Sequence, residues 1–549
     1  MKEYWRFIRF ALFSASAGLI EIGSFALLNE FSNWSYWPCY LIALLCSILW
    51  NFTLNRKFTF RSAANVPVAM LKVLGFYAVF TPATTLLGSY LADTLMWNGY
   101  LVTGINMGLN FVTEYLYQRY FVYRNSLDTI KSHILACMGA IALRCSCGKG
   151  GPTIEDGEPS DVDTSAGTCI PITFPDEFIF LSWYELIDIN ADSKLEEFKS
   201  PSAEWRMRKL KEAGFNTYFD YRLTFEEADA LLTLADKVGM NIIVECDELH
   251  DPTTTQMTVE AMSAHPSLYA YNVWDEPEVF EYPEVIRRIQ EIYKYDKVRP
   301  CSVNLFPNYG WDDWVEELYL ETVRTFLKTV PVSFLSFDYY PIIIEDGQKV
   351  LREAWYHNLE DIRTAALETN IPIWGFALVK AHNPYPWPTL ADLRLQQFSN
   401  LVYGAVAFQY FTTRSIVWKD SETEYYPMVK QVNEELKMME KIFLGAEIKD
   451  VWHTGKEIPR GTKRLSVYPT GISEIVTGDG GTVVSYFTSN NKEYIAFVNR
   501  SCTEETTLQI RFDGQSACVA KDGTESPVAE SYTIEPGDIQ IFTWEFVKP

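Results

Sequence analysis

Apolar residues gather into four long runs before residue 130 and then break into short, regularly spaced pieces. The runs cover 7–28, 36–52, 66–92 and 100–117. Each approaches the ~20 helical residues that cross a ~30 Å hydrocarbon core, and only short polar connections part them, which predicts four transmembrane helices. From residue 178 the period shortens. β-rich runs at 178–183, 217–221, 241–246, 268–274, 300–305, 334–339, 372–379 and 405–411 alternate with amphipathic stretches such as 205–213 and 225–238, the pattern of a (β/α)8 TIM barrel. A doubly wound sheet is the alternative, but no Gly-rich phosphate loop follows an early strand. Past residue 449 the runs 483–487, 493–498, 507–512, 531–534 and 539–546 are parted by turn pairs such as Asp513-Gly514 and Pro536-Gly537, which predicts a β-sandwich. The expected fold is therefore multidomain: a four-span α-helical bundle over 1–128, a connecting segment over 129–170, the barrel over 171–448 and the sandwich over 449–549.

Charge divides the chain at the same seam. The 549 residues carry a net charge of −24, yet residues 1–150 hold 12 Lys and Arg against 6 Asp and Glu. The first part is thus basic and the remainder strongly acidic, a surface that repels phosphate and excludes nucleic acid as a partner. Aromatic residues at 15% and apolar residues at 48% exclude a disordered chain. Basic residues flank the runs asymmetrically. Lys2, Arg6 and Arg9 precede the first, Arg56, Lys57 and Arg61 lie between the second and third, and Arg119 and Arg124 follow the fourth. The positive-inside rule puts both ends of the bundle in the cytoplasm.

The bundle also repeats itself. Asn55-Arg-Lys-Phe-Thr-Phe-Arg61 returns 63 residues later as Gln118-Arg-Tyr-Phe-Val-Tyr-Arg124. Arg56, Lys57, Arg61, Arg119 and Arg124, set among aromatic rings at a membrane boundary, are suited to lipid phosphate, and simple topology anchoring is the plainer reading. Glu21, Asn106, Asn110 and Glu114 lie in or near the spans, where such groups need a partner or a pathway. The motif Asn51-Phe-Thr-Leu-Asn-Arg-Lys-Phe-Thr-Phe60 and its counterpart resemble the GtrA-like family of four-helix membrane proteins. That resemblance implies handling of a polyprenyl-phosphate-linked sugar in cell-surface polysaccharide synthesis, in a bacterial inner membrane among its lipids.

Ile134-Leu-Ala-Cys-Met-Gly-Ala-Ile-Ala-Leu143 has the length of an export-signal core. Leu143-Arg-Cys-Ser-Cys147 resembles a bacterial lipobox, which implies lipidation at Cys147; a fifth, uncleaved anchor is the competing reading. By either route, everything after about residue 148 is expected outside the cytoplasm. A lipobox is also how a separate lipoprotein begins, so two fused reading frames are an alternative origin. Ten cysteines and six histidines show no metal-like spacing, and Cys502 and Cys518 are the pair that export would allow to join.

In a barrel the chemistry sits at the C-terminal ends of the strands. The fourth strand ends Tyr271-Asn-Val-Trp-Asp-Glu-Pro277, the fifth leads into Asn304-Leu-Phe-Pro-Asn308 and the sixth into Ser336-Phe-Asp-Tyr-Tyr-Pro341. These motifs resemble clan A glycoside hydrolases, with Asp275 where Asn is usual, and in particular exported bacterial barrels related to the family 42 β-galactosidases. The resemblance implies Glu276 as general acid/base, with Asp275 as a nearby anion that raises its pKa; capping of the following helix is the alternative for both. The clan's nucleophilic glutamate belongs at the end of strand seven, but Pro372-Ile-Trp-Gly-Phe-Ala-Leu-Val-Lys380 holds no acid. Asp338 is the first replacement, then Asp220, Glu245 or Asp247. Carboxyl groups roughly 5–5.5 Å apart suit a covalent intermediate, and roughly 6.5–9.5 Å an inverting water.

Aromatic and polar residues at strand ends supply sugar contacts: Trp183, Tyr184, Trp274, Asn304, Asn308, Tyr339, Tyr340, Trp374 and Lys380, with Tyr309, Trp311, His382 and Trp387 in the loops. An oligo- or polysaccharide is the expected substrate, and no cofactor or metal is implied. A barrel that only binds glycan, leaving the biological role to the membrane domain, is the alternative.

Overall fold

The computed structural model describes residues 174–188, 193–310 and 313–545, together with the helical stretch 113–122 and scattered helical positions between residues 10 and 76. The chain forms two compact units, residues 1–141 and 142–549. Among the described residues no helix is long and apolar enough to cross a membrane; the four expected spans fall largely outside them. So do Arg56, Lys57, Arg61, Arg124, Cys147, Glu21, Asn106, Asn110 and Trp311.

In the first unit the sequence repeat carries matching hydrogen bonds. Asn55 donates its side-chain amide to Asn51 at 2.7 Å, and Gln118 donates to Glu114 at 2.9 Å. The two pairs occupy equivalent positions of the repeat, four residues apart along a helix, where side chains meet. Thr59 extends the first ladder to Asn55 at 2.8 Å. Asn55, Gln118 and Glu114 are buried, and residues Gln118–Val122 wind as a π-helix with Arg119 in the last turn.

The second unit opens with a closed, all-parallel barrel whose eight strands pair in sequence order: β1 (Ile179–Trp183), β2 (Thr217–Leu223), β3 (Asn241–Cys246), β4 (Leu268–Asp275), β5 (Cys301–Leu305), β6 (Leu335–Phe337), β7 (Ile373–Leu378) and β8 (Ala405–Phe411). The strands are near-continuous apolar runs because helices cover one face and barrel filling the other. Helix boundaries follow local chemistry. Thr224 and Glu227 form a capping box at the start of Phe225–Val238, and Gly239 ends that helix at φ 71°, where a side chain is disfavoured. Gly375 in β7 answers a different demand: a Cβ there would come within 2.6–2.8 Å of the Asn400 side chain, which bonds the Phe376 carbonyl at 3.0 Å.

Between β6 and β7 the chain inserts a hairpin, Ile342–Glu345 paired with Gln348–Leu351. Its turn residues Asp346 and Gly347 both have positive φ, the requirement of a tight two-residue hairpin turn.

After the barrel come β9 (Glu447–His453), β10 (Ile472–Thr477), β11 (Thr482–Ser489), β12 (Lys492–Asn499), β13 (Thr506–Phe512), β14 (Ser516–Val519), β15 (Glu525–Ser526), β16 (Tyr532–Ile534) and β17 (Ile539–Trp544). They form a six-stranded sheet in the order β9-β11-β12-β17-β14-β15 and a three-stranded sheet β10-β13-β16. Ile472, Val484, Phe497, Leu508, Phe542 and Trp544 form the core that joins the two sheets. Ion pairs weld this domain to the barrel helices: Arg394 meets Glu435 and Asp538, and Lys521 meets Glu435 at 2.9 Å and Asp538 at 2.7 Å. Cys502 and Cys518 are separate free thiols, which corrects the expected pairing.

Candidate active site

Three acids converge where β4 and β6 end. Asn304, in β5 between them, reaches Asp275 at 3.3 Å and Asp338 at 3.2 Å with its side-chain amide. The direction of that amide is fixed from below. Trp183 donates to Gln409 at 3.0 Å, Gln409 to Ser336 at 3.0 Å, and Ser336 to the Asn304 carbonyl oxygen at 2.8 Å. With its oxygen already occupied, Asn304 can offer only N–H donors to the acids. A relay spanning β1, β8, β6 and β5 therefore presents a donor to two carboxylates.

Glu276 is the third acid. Its backbone N–H bonds the Asn304 carbonyl at 2.8 Å, its φ is +50°, and its carboxyl group is hydrogen-bonded to that of Asp338. Glu185 after β1 and Arg222 in β2 share the left-handed backbone, at +66° and +54°, a conformation that costs energy in non-glycine residues and collects at functional sites. Asp275 and Glu276 are open to the barrel mouth yet walled by protein on their other sides. Burial, then the Glu276 charge, pushes Asp275 up to about 6. Burial also raises Glu276, against the Asp338 hydrogen bond. Asp338 stands well above the ordinary carboxylate range through burial and the charges of Glu276 and Asp275. All three shifts point the same way: the cluster holds protons more tightly than isolated carboxyls do.

Other expected residues divide into those at the mouth and those elsewhere. Tyr184 and Tyr340 line the mouth, with Tyr184 packed on Tyr221 and Phe411, and Tyr340 on Phe376, Tyr385 and Phe411. Lys380 is there too, paired with Glu185 at 3.1 Å; Thr412 also donates to Glu185. Trp183 is buried beneath them. Four assignments to substrate contact need correction. Trp374 is the second residue of β7, far from the end that forms the mouth, and lies 3.8 Å face to face with Phe334 in the core. Asn308 is fully buried and bonded to Asn358 and the Ala354 carbonyl. Trp274 alternates outward and stacks under Arg288 of helix Tyr282–Ile292. Tyr339 is buried against Tyr309.

Of the alternative acids, Asp220 is buried and bonded by Tyr218 and by the Tyr221 N–H at 2.9 Å, and burial pushes it up to about 6. Glu245 accepts from Asn272 at 3.0 Å, and Asp247 is exposed in a short helix after β3. Sequence reasoning missed Ser336, Gln409, Glu185 and Arg352. Gln409 had a signal, a lone amide inside the apolar strand Ala405–Phe411; Glu185 had one as well, an acid directly after a strand-end Trp-Tyr pair.

Residues 9–123 match the family model described as the GtrA/DPMS transmembrane domain. The chain therefore carries a membrane domain of that kind ahead of the barrel. No curated protein matches the chain. Among solved structures, the catalytic domain of β-amylase from Paenibacillus polymyxa aligns at 8% identity and a TM-score of 0.32, covering 47% of this chain and 98% of that one. An α-L-fucosynthase from Thermotoga maritima aligns at 9% identity and 0.32, covering 66% and 94%, and xylanase 10B from the same organism at 13% and 0.29, covering 47% and 95%. The neighbours thus include glycoside hydrolases, but a glycerol dehydrogenase from Gluconobacter oxydans aligns at 11% and 0.28, covering 49% and 95%. Likeness at this level carries no weight for the chemistry.

Proposed function

We propose that the barrel is a glycoside hydrolase held at the outer face of a bacterial inner membrane, cleaving glycosidic bonds with Glu276 as proton donor and Asp338 as its partner carboxylate. The observation that carries this reading is the hydrogen bond between those two carboxyl groups, beside Asp275 and under the Asn304 amide. A carboxyl kept protonated near neutral pH is what departure of a sugar oxygen requires. The substrate enters between the two carboxyl groups. The glycosidic oxygen takes the place of Asp338 at the Glu276 proton; the C–O bond breaks as that proton transfers. Asp338, the ionised member of a pair that holds one proton, accepts a proton from the water that adds to the anomeric carbon. When the products leave, the restored hydrogen bond returns the proton to Glu276. Burial favours the protonated form of Glu276, and the rings of Tyr184 and Tyr340 pack against sugar C–H faces.

The membrane domain, with Arg119 and its repeat partner Arg56 at lipid phosphate, handles a polyprenyl-phosphate-linked sugar, and the barrel trims the exported glycan. Cys147 is a lipidation site in this scheme, and a family 42-like substrate range, β-galactosides first, is the starting panel. Reducing-sugar release from galactosides, glucosides and polysaccharides, measured for the full chain and for Glu276→Gln, tests the reading. Activity in the wild type that falls in the variant supports it, and equal activity in both rejects Glu276 as the acid.

A further inference from the structure

At the rim of the same mouth, Arg352 has no acid partner among the described residues. Arg352 follows the inserted hairpin, and its backbone N–H is tied to the Pro341 carbonyl at 2.7 Å, which fixes it beside the end of β6. Its guanidinium lies 4.1 Å over the ring of Tyr309 and 5.7 Å from that of Tyr385. Among the described residues it has no ion pair, and one of its nitrogens reaches the Tyr385 hydroxyl at 3.3 Å. Its Nε is buried with no hydrogen-bond partner. A guanidinium carries five N–H donors in a planar fork matched to carboxylate and phosphate oxygens, and leaving a buried donor unpaired is destabilising. Elsewhere in this unit, Arg206, Arg299 and Arg394 are paired with acids, while Arg363 and Arg500 give their guanidinium N–H groups to backbone carbonyls. Among the described residues Arg352 does neither, in a mouth otherwise rich in acids.

The surroundings fit an anion. The hydroxyls of Tyr309 and Tyr385 are 3.3 Å apart, and the exposed His382 ring stacks on Tyr385 at 4.7 Å. These groups supply donors beside the guanidinium, and among the described residues no carboxylate is bonded to them. Tyr309 also feels the charges of both Asp338 and Arg352, so the cation lies one tyrosine from the carboxyl pair. A sugar reaching from the acids to the rim would place a negative group on Arg352 and away from Asp275, Glu276 and Asp338.

We propose that Arg352, between Tyr309 and Tyr385, is an anion subsite that holds an acidic group of the glycan, a uronate carboxylate or a phosphate. It rests on the mouth being a glycan site. It adds to that reading the class of glycan, one bearing negative charge, and the direction in which it lies.

The test uses the purified full chain in detergent with three probes: p-nitrophenyl β-glucuronide, p-nitrophenyl β-glucoside and inorganic phosphate. Dissociation constants are measured by calorimetry for the wild type, Arg352→Gln, Arg352→Lys and Glu276→Gln, with circular dichroism to check folding. The expected result is glucuronide affinity reduced at least about tenfold in Arg352→Gln, partly kept in Arg352→Lys, and unchanged glucoside affinity. Phosphate that competes with glucuronide in the wild type, but not in Arg352→Gln, shows one site taking either anion. Arg352-dependent phosphate binding without preference for glucuronide over glucoside assigns the site to a phosphate-bearing glycan. Equal affinity of wild type and Arg352→Gln for both anions overturns the proposal; if Arg352→Gln does not fold, equal affinity in Arg352→Lys at low and high salt does the same. Glu276→Gln is expected to keep glucuronide binding, so unchanged hydrolysis in that variant would count against the catalytic reading alone.

Discussion

Glu276 at the end of β4 and Asp338 at the end of β6 are hydrogen-bonded carboxyl to carboxyl. Two acids in that arrangement release their protons as a pair, with the second held far above its ordinary range. In kinetics this sets the upper pH limit of activity. Asp338→Ala removes the hydrogen bond that works against burial at Glu276, leaving burial alone to hold its proton. The basic limb of the kcat/KM profile should then move to higher pH, with kcat reduced by about 10²-fold or more. A basic limb that stays in place would detach Asp338 from the titration of Glu276.

Asn304 is the only amide contacting both Asp275 and Asp338 among the described hydrogen bonds. Asn304→Asp keeps its shape but adds a fourth carboxyl to the cluster. Chemical denaturation should show a loss on the order of 2–4 kcal/mol at pH 7, most of it recovered at pH 4.5, where the cluster is protonated. A loss equal at both pH values would mean that shape rather than charge is at stake.

Lys380 follows the end of β7 and is paired with the buried Glu185. Lys380→Met strands that carboxylate and should cost about 3 kcal/mol. Adding Glu185→Gln should restore most of it. A double variant no more stable than the single one would show that the pair is not coupled.

Asp220 has a folded pKa of about 6 against an ordinary value of 3.8, through burial. Between those values the folded chain holds more protons than the unfolded chain. Its stability is therefore highest below about pH 4 and falls as pH rises through 6. Asp220→Asn should raise Tm at pH 8, by the equivalent of at most about 3 kcal/mol, and leave it unchanged at pH 4. A variant less stable at pH 8 would show that its hydrogen bonds to Tyr218 and Tyr221 outweigh the burial penalty.

The barrel was legible because its strands are apolar, short and evenly spaced; 241–246 and 405–411 emerge with the expected bounds. The sandwich was read from five runs, yet β9, β10, β14 and β15 escaped. Ile472-Ser-Glu-Ile-Val-Thr477 breaks strict alternation because its register against β13 shifts between Ile472 and Glu474, as at a bulge. Within the site, Glu276, Asp275 and Asp338 were found through the ends of their strands. Trp374 and Trp274 were misplaced for the opposite reason: an aromatic in a strand signals contact, but only its height and the face it takes decide whether that contact is with core, helix or ligand. Relay residues such as Ser336 and Gln409 carry no motif at all, since their role depends on neighbours brought in from other strands.

The shared proton can be observed without knowing the substrate. Carbon-13 labelling of Asp and Glu carboxyl groups, followed by NMR titration of the full chain and of Glu276→Gln, reads each ionisation separately. A carboxyl signal in the wild type that remains protonated at pH 7, titrates in step with a second one, and reverts to an isolated carboxylate in Glu276→Gln is the expected result. Complete ionisation of Glu276 and Asp338 below pH 5 would contradict it.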